Sequence, residues 1–175
     1  MIALPSKNKY IILFLIGLLP VLWNCSYRFS GTGSLPSDIT RIYVSVIENK
    51  TSDSGIEKYI TDDLINEFIL RKKDVLSRQE DAEGILSGSI EYIRDTPIAH
   101  SSQSKSTQRR VVLGIVLKLV DQKGKKIWAV NGINANEAYK VTEDKTLTEQ
   151  NKKAAIQVLS KRLAEKIYNR LTDDF

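Results

Sequence analysis

Cysteine and histidine are almost absent from this sequence, which has one of each in 175 residues. A single cysteine excludes an internal disulfide framework. A zinc site built from histidine and cysteine would need carboxylates to complete its four ligands. Serine–histidine or cysteine–histidine catalysis would have to use His100, and the acid near it in the chain is Asp95. We therefore expect a protein that is not an enzyme and that holds neither a metal nor a cofactor.

A strong excess of charge of one sign is also missing. The chain carries 26 Lys and Arg against 21 Asp and Glu, a net charge of +5, and without the two lysines of residues 1–24 the balance is only +3. Nucleic-acid-binding domains typically concentrate Lys and Arg on one face, so this composition does not indicate one. It still permits an anionic partner. The length and the 42% of hydrophobic residues predict a single folded domain with its own core.

The hydrophobic run near the N-terminus is too short to cross a membrane. It extends over 14 residues, from Tyr10 to Trp23, whereas a spanning helix needs about 20. Its length, and the two lysines that precede it, are typical of a signal peptide. We therefore assign residues 1–24 to a signal peptide, residues 25–40 to a lipidated N-terminus and tether, and residues 41–172 to one α+β domain.

The single cysteine comes directly after this run. The sequence Leu22-Trp23-Asn24-Cys25 resembles a bacterial lipobox, in which the cysteine is acylated and becomes the new N-terminus. The alternative is an ordinary secreted protein with a free thiol. Ser26, rather than an aspartate, follows the cysteine and favours the outer membrane. We expect a periplasm-facing lipoprotein that acyl chains on Cys25 hold in that membrane.

Hydrophobic periodicity predicts the order β-α-β-β-β-α. Apolar residues alternate in the strands and recur about every 3.6 residues in the helices. In the second strand we expect Leu86, Gly88, Ile90 and Tyr92 to share one face. The predicted segments are a strand at 41–47, a helix capped by Ser54 that ends in the basic triplet 71–73, a strand at 86–92, a Ser-rich loop at 96–107, a strand at 111–120, a hairpin turn at 121–125, a strand at 126–139 and a helix at 146–171.

Both predicted helices have one apolar face and therefore need a sheet to lie against. The predicted fold class is α+β: a two-layer sandwich in which a four-stranded, mixed and mostly antiparallel sheet carries two helices on one face. The other face of the sheet then stays open, and it includes Val112, Val116 and Val120. It contacts a protein or an acyl chain, or else a loop or the N-terminal tether covers it.

Several weak signals in a fixed order resemble one family. They are the run Cys25-Ser26-Tyr27-Arg28-Phe29, the strand Ile42 to Ile47 followed by Glu48-Asn49-Lys50-Thr51, a helix opened by Gly55-Ile56-Glu57, the segment 82–90, and a long final helix with Ala154-Ala155 and Leu163-Ala164. Through these signals taken together, the chain resembles the LptE family of lipopolysaccharide-assembly lipoproteins. The resemblance implies a non-catalytic plug inside the outer-membrane β-barrel LptD that helps to assemble the barrel and binds lipopolysaccharide on its way to the outer leaflet.

Such a role requires cations for the lipid phosphates, with Arg suited to bidentate contacts and Lys acting as a point charge. Next to the Ser-rich loop and the hairpin turn, the resemblance points to Arg94, Lys105, Arg109, Arg110 and Lys118 as lipopolysaccharide-binding candidates. The preferred cluster is Arg109-Arg110. Each of these cations could instead be an ordinary solubilising surface charge.

The main alternative is a periplasmic lipoprotein that activates a peptidoglycan synthase, similar to LpoB or to CsgG-related proteins. Such proteins can open with the same strand, polar turn and helix. An activator that crosses the periplasm needs a long stalk. Residues 26–40, however, reach at most about 50 Å when fully extended, which favours a domain that works close to its membrane.

Overall fold

The computed structural model describes residues 35–100 and 106–173. The predicted signal peptide and Cys25 lie outside these ranges. Neither helix in the described ranges is both long and apolar enough to span a membrane. The elements are β1 (Ile42–Val44), β2 (Glu48–Asn49), α1 (Ile56–Lys72), β3 (Gly84–His100), β4 (Ser106–Asp121), β5 (Lys126–Lys140) and α2 (Lys145–Asp173), with short 3-10 helices at Pro36–Asp38, Lys73–Val75 and Gln79–Asp81.

The strands form one mixed sheet in the order β1-β3-β4-β5, and β2 also pairs with β3 beyond β1. β1 and β2 run parallel to β3, whereas β3, β4 and β5 are an antiparallel meander. This confirms the predicted α+β class with a mixed sheet and two helices. The sheet has five strands rather than four, because the first strand ends at Val44 and a short extra strand forms at Glu48–Asn49, just beyond the predicted strand at 41–47.

The core lies between the sheet and the two helices. β4 supplies its centre, since alternate residues from Val111 to Leu119 are fully buried. α1 contributes a stripe that ends at Phe68, and α2 contributes another through Leu163. The ring of Phe68 meets that of Tyr168 edge-on, with centroids 5.1 Å apart, a favoured aromatic geometry. Both helices therefore cover the same face of the sheet. No helix within residues 35–100 and 106–173 covers its second face, which we call the open face.

Two predicted boundaries were wrong. Most of the predicted loop at 96–107 belongs to strands, because β3 continues to His100 and β4 begins at Ser106. Ser54 does not cap α1: the residue before the helix is Gly55, whose φ of +90° suits glycine. The carboxylate of Glu57 accepts a hydrogen bond from the Gly55 N–H and takes the place of a capping side chain.

The predicted face of Tyr92 was also wrong. Leu86 and Ile90 point into the core as expected, but a β-bulge separates Ile90 from Tyr92 and leaves Glu91 without a cross-strand partner. One extra residue reverses the alternation of all later side chains. Tyr92 therefore lies on the open face, opposite Gly114.

Candidate anion-binding site

Three basic residues line up across the open face at the distal end of the sheet, which is the end where β3 finishes and β4 starts. Arg94 is opposite Val112, Arg110 is opposite Thr96, and β5 places Lys140 opposite Gln108. Each cation is thus two residues nearer the distal end than its neighbour on the adjacent strand. Diagonal neighbours of this kind are about 7–8 Å apart at their backbones. We refer to Arg94, Arg110 and Lys140 as the cationic diagonal.

The cationic diagonal is not neutralised by nearby acids. All three side chains are exposed, and none forms an ion pair with a residue that the structure describes. The acids of the same strand segments, Asp95 and Glu137, have the opposite parity and belong to the helix-covered face. From Tyr92 onward, the described strand residues that share the open face with the diagonal include no acid. Three unpaired cations on one surface attract anions.

Arg94 is held by an aromatic ring. Its guanidinium carbon lies 4.4 Å from the centroid of the Tyr92 ring, which is within cation–π distance. No ion pair with another described residue engages the guanidinium, and Arg94 is exposed. Its N–H groups therefore stay available to a ligand.

Arg109, in contrast, is occupied within the protein. Its Nε donates to Asp95 Oδ1 at 2.8 Å and its Nη2 donates to the Asp95 carbonyl at 3.0 Å. The Tyr139 hydroxyl donates to the other carboxylate oxygen at 2.6 Å. The hydrogen bond to Asp95 raises the pKa of Arg109. Arg109 and Arg110 thus face opposite sides of the sheet and form no shared cluster.

The network gives Tyr139 a measurable pH dependence. Burial, together with the hydrogen bond to Asp95 and its negative charge, raises the pKa of Tyr139 to about 12 from an ordinary value of 10.0. A raised pKa means that the neutral hydroxyl stabilises the fold fully below pH 10, and that this stabilisation is lost as the pH rises through 12. We expect Tyr139→Phe to be less stable at pH 8 and to lose less stability between pH 10 and 12. Urea unfolding at several pH values measures both. Parallel pH profiles for the two proteins would contradict the assignment.

The remaining candidates are spread over the molecule. Lys118 is on the open face, but eight residues from Arg110 along β4, or about 27 Å at roughly 3.4 Å per residue. It shares a shallow hollow with Glu48, Glu91 and Lys126. Lys105 lies outside the described residues. The meander places the hairpin turn and the β3–β4 end at opposite ends of the sheet, as expected for strands of this order.

Sequence reasoning missed Lys140. The signal that could have found it is the register of the β4–β5 hairpin, counted from the turn. That count crosses two irregularities, between Ile115 and Leu117 and between Leu119 and Val120. Each one shifts the pairing by one residue and reverses the face of everything beyond it. The two reversals cancel, so Lys140 keeps the face that an unbroken hairpin would give it, but its partner on β4 becomes Gln108 instead of Ser106. Since neither irregularity is written in the residue pattern, the position of Lys140 beside Arg110 could not be read from the sequence.

Fold and site together define a class: a two-layer α+β domain with an open, cationic sheet face. The family model described as "LptE: Lipopolysaccharide-assembly" matches residues 39–171. The chain therefore belongs to the LptE family, a family of non-enzymatic assembly components, and has a role in lipopolysaccharide assembly. No curated protein matches the chain by sequence.

Solved structures of lipoproteins have the same fold. Lipoprotein B from Nitrosomonas europaea is 12% identical with a TM-score of 0.54, and the match covers 77% of this chain and 83% of that one. The rare lipoprotein B from Shewanella oneidensis is 8% identical with a TM-score of 0.53, over 75% of this chain and 95% of that one. At such identities the likeness concerns the fold alone.

Proposed function

We propose that this protein is the plug component of an outer-membrane lipopolysaccharide translocon: it sits inside an LptD-type β-barrel, helps the barrel to assemble, and contacts the phosphates of lipopolysaccharide through the cationic diagonal. The single observation that carries the lipid contact is the alignment of Arg94, Arg110 and Lys140 on a part of the open face where the described strand residues include no acid. Family membership supports the setting.

The chemistry of the surface suits a ligand with several phosphate groups. Two arginines can each make paired hydrogen bonds to a phosphate, and a lysine adds a point charge. Because the backbone positions of successive cations are about 7–8 Å apart, they engage separate anionic groups more readily than a single one. Polar residues also lie next to the cations, since Thr96 and Asn136 are exposed on the same face. A polar surface of this kind suits a barrel lumen, which is itself polar.

The proposed location near the outer membrane depends on acylation of Cys25. Leu35, ten residues later, is buried against the folded domain. Ten residues extend to at most about 35 Å, so an acyl chain on Cys25 would keep the domain beside the lipid surface. Both the acylation and the outer-membrane location are part of the proposal.

Mass spectrometry of the native protein and its co-purifying partners tests this function. We expect membranes solubilised in mild detergent to yield a stoichiometric outer-membrane β-barrel, and the chain itself to begin at a lipid-modified Cys25. Recovery of a peptidoglycan synthase instead of a barrel would favour the activator function. Recovery of the protein alone in the soluble fraction would contradict both the acylation of Cys25 and the proposed position inside a β-barrel.

A further inference from the structure

We propose that Tyr92 is a positioning residue, seated on Gly114, that holds the Arg94 guanidinium in the orientation in which it meets an anionic ligand. The inference rests on the proposed function, because it concerns the same surface. It assigns a role in binding to Tyr92, to Gly114 and to the β-bulge at Glu91, although none of these supplies a positive charge to the ligand.

The bulge at Glu91 is the first part of this arrangement. Without the extra residue, Tyr92 would follow Ile90 into the core and Arg94 would follow Tyr92. With it, Ile93 takes the helix-covered position opposite Leu113, while Tyr92 and Arg94 both face the open side. Glu91 itself is held outside the cationic region, because its carboxylate pairs with Lys50 at 2.8 Å.

Gly114 provides the seat for the ring. It is directly opposite Tyr92 on β4. A Cβ atom at this position would lie 2.3 Å from Cε1 and 2.4 Å from Cζ of Tyr92, far closer than two carbon atoms can approach. The ring therefore rests on the bare backbone of β4, and any larger residue would displace it.

Arg94 is the residue whose side chain the Tyr92 ring holds in place before a ligand binds. A free arginine side chain loses rotamer freedom when it binds a ligand, and that loss weakens the affinity. The Tyr92 ring, whose centroid is 4.4 Å from the guanidinium carbon, restrains Arg94 in advance, while Arg94 stays exposed to solvent. For Arg110 and Lys140, no aromatic ring of the described residues lies within cation–π distance of the charge. Arg94 is thus the cation of the diagonal that a ring restrains.

The test measures binding of purified lipopolysaccharide by the full folded domain, with variants at position 92. We expect Tyr92→Ala to weaken binding about fivefold, the usual scale of one cation–π contact. Tyr92→Phe should bind like the unmodified protein, because phenylalanine keeps the ring face. Gly114→Ala should weaken binding to a similar extent as Tyr92→Ala, since the methyl group displaces the ring. Tyr43→Ala is the matched control: it removes another half-buried tyrosine of the open face, away from the diagonal, and should leave binding unchanged.

A double-variant comparison separates positioning from simple destabilisation. In an Arg94→Gln background, Tyr92→Ala should cause no further loss of binding, because its effect passes through Arg94. An equal loss in both backgrounds would overturn the positioning role, and so would full binding by Tyr92→Ala alone. If instead Arg94→Gln and Arg110→Gln together leave lipopolysaccharide binding intact, the proposed lipid contact itself fails, and the positioning role fails with it.

Discussion

Leu163→Asp should leave the protein unfolded at room temperature. Leu163 is completely buried in the core between α2 and the sheet, and no cationic side chain of the described residues belongs to that core. An unpaired carboxylate in an apolar core costs several kcal/mol or more. That is comparable to the whole stability of a typical domain, about 5–15 kcal/mol. Far-UV circular dichroism and urea titration of the purified variant measure the loss.

Two companion variants make this result interpretable. Val158→Asp places the same charge on the same helix at a residue that is 42% exposed, and we expect it to change stability by no more than about 0.5 kcal/mol. Leu163→Ala should fold, but lose about 2–5 kcal/mol because it leaves a cavity. A cooperative melt of Leu163→Asp at the unmodified temperature would mean that the α2 stripe is not the buried face.

Charge reversal of Arg94 and Arg110 together should reduce lipopolysaccharide binding at least about 100-fold. Each substitution removes a charge-assisted contact worth about 1.5–3 kcal/mol and adds repulsion toward phosphate. The thermal melt should stay nearly unchanged, since both side chains are exposed and exposed substitutions usually have small effects. Binding to immobilised lipopolysaccharide, measured at two salt concentrations, provides the readout. The residual binding should also depend less on salt.

The matched control reverses Lys118 and Lys126, which lie at the other end of the open face. This double variant has the same change in net charge, so a comparable loss of binding would indicate general electrostatic attraction rather than a site. Arg109 is unsuitable for such a test. Its reversal would place a second negative charge against Asp95 and would destabilise the distal end of the sheet directly.

The helices and the central strand could be predicted because their signals are local. The apolar stripe of α2 and the alternation of β4 each appear within a single segment, and burial follows from them. The basic ending of α1 was also predictable: Arg71 and Lys72 lie in its last turn, where cations complement the helix dipole. The capping error at Ser54 arose because Gly55 and Glu57 satisfy that helix end through the backbone and a carboxylate, which a one-residue rule does not consider.

The proposed binding surface was only partly predictable, and the reason is physical. Residue types and strand periods follow from the sequence, so Arg94 and Arg110 could be named as cations near one end of the sheet. Which cations stay free depends on partners far away in the chain: Asp95 and Tyr139 occupy Arg109. Which of them share a face depends on bulges, and a bulge is a backbone irregularity that no side-chain pattern records. The tertiary structure alone therefore aligned Arg94, Arg110 and Lys140, because alignment across strands is a property of register and not of any single segment.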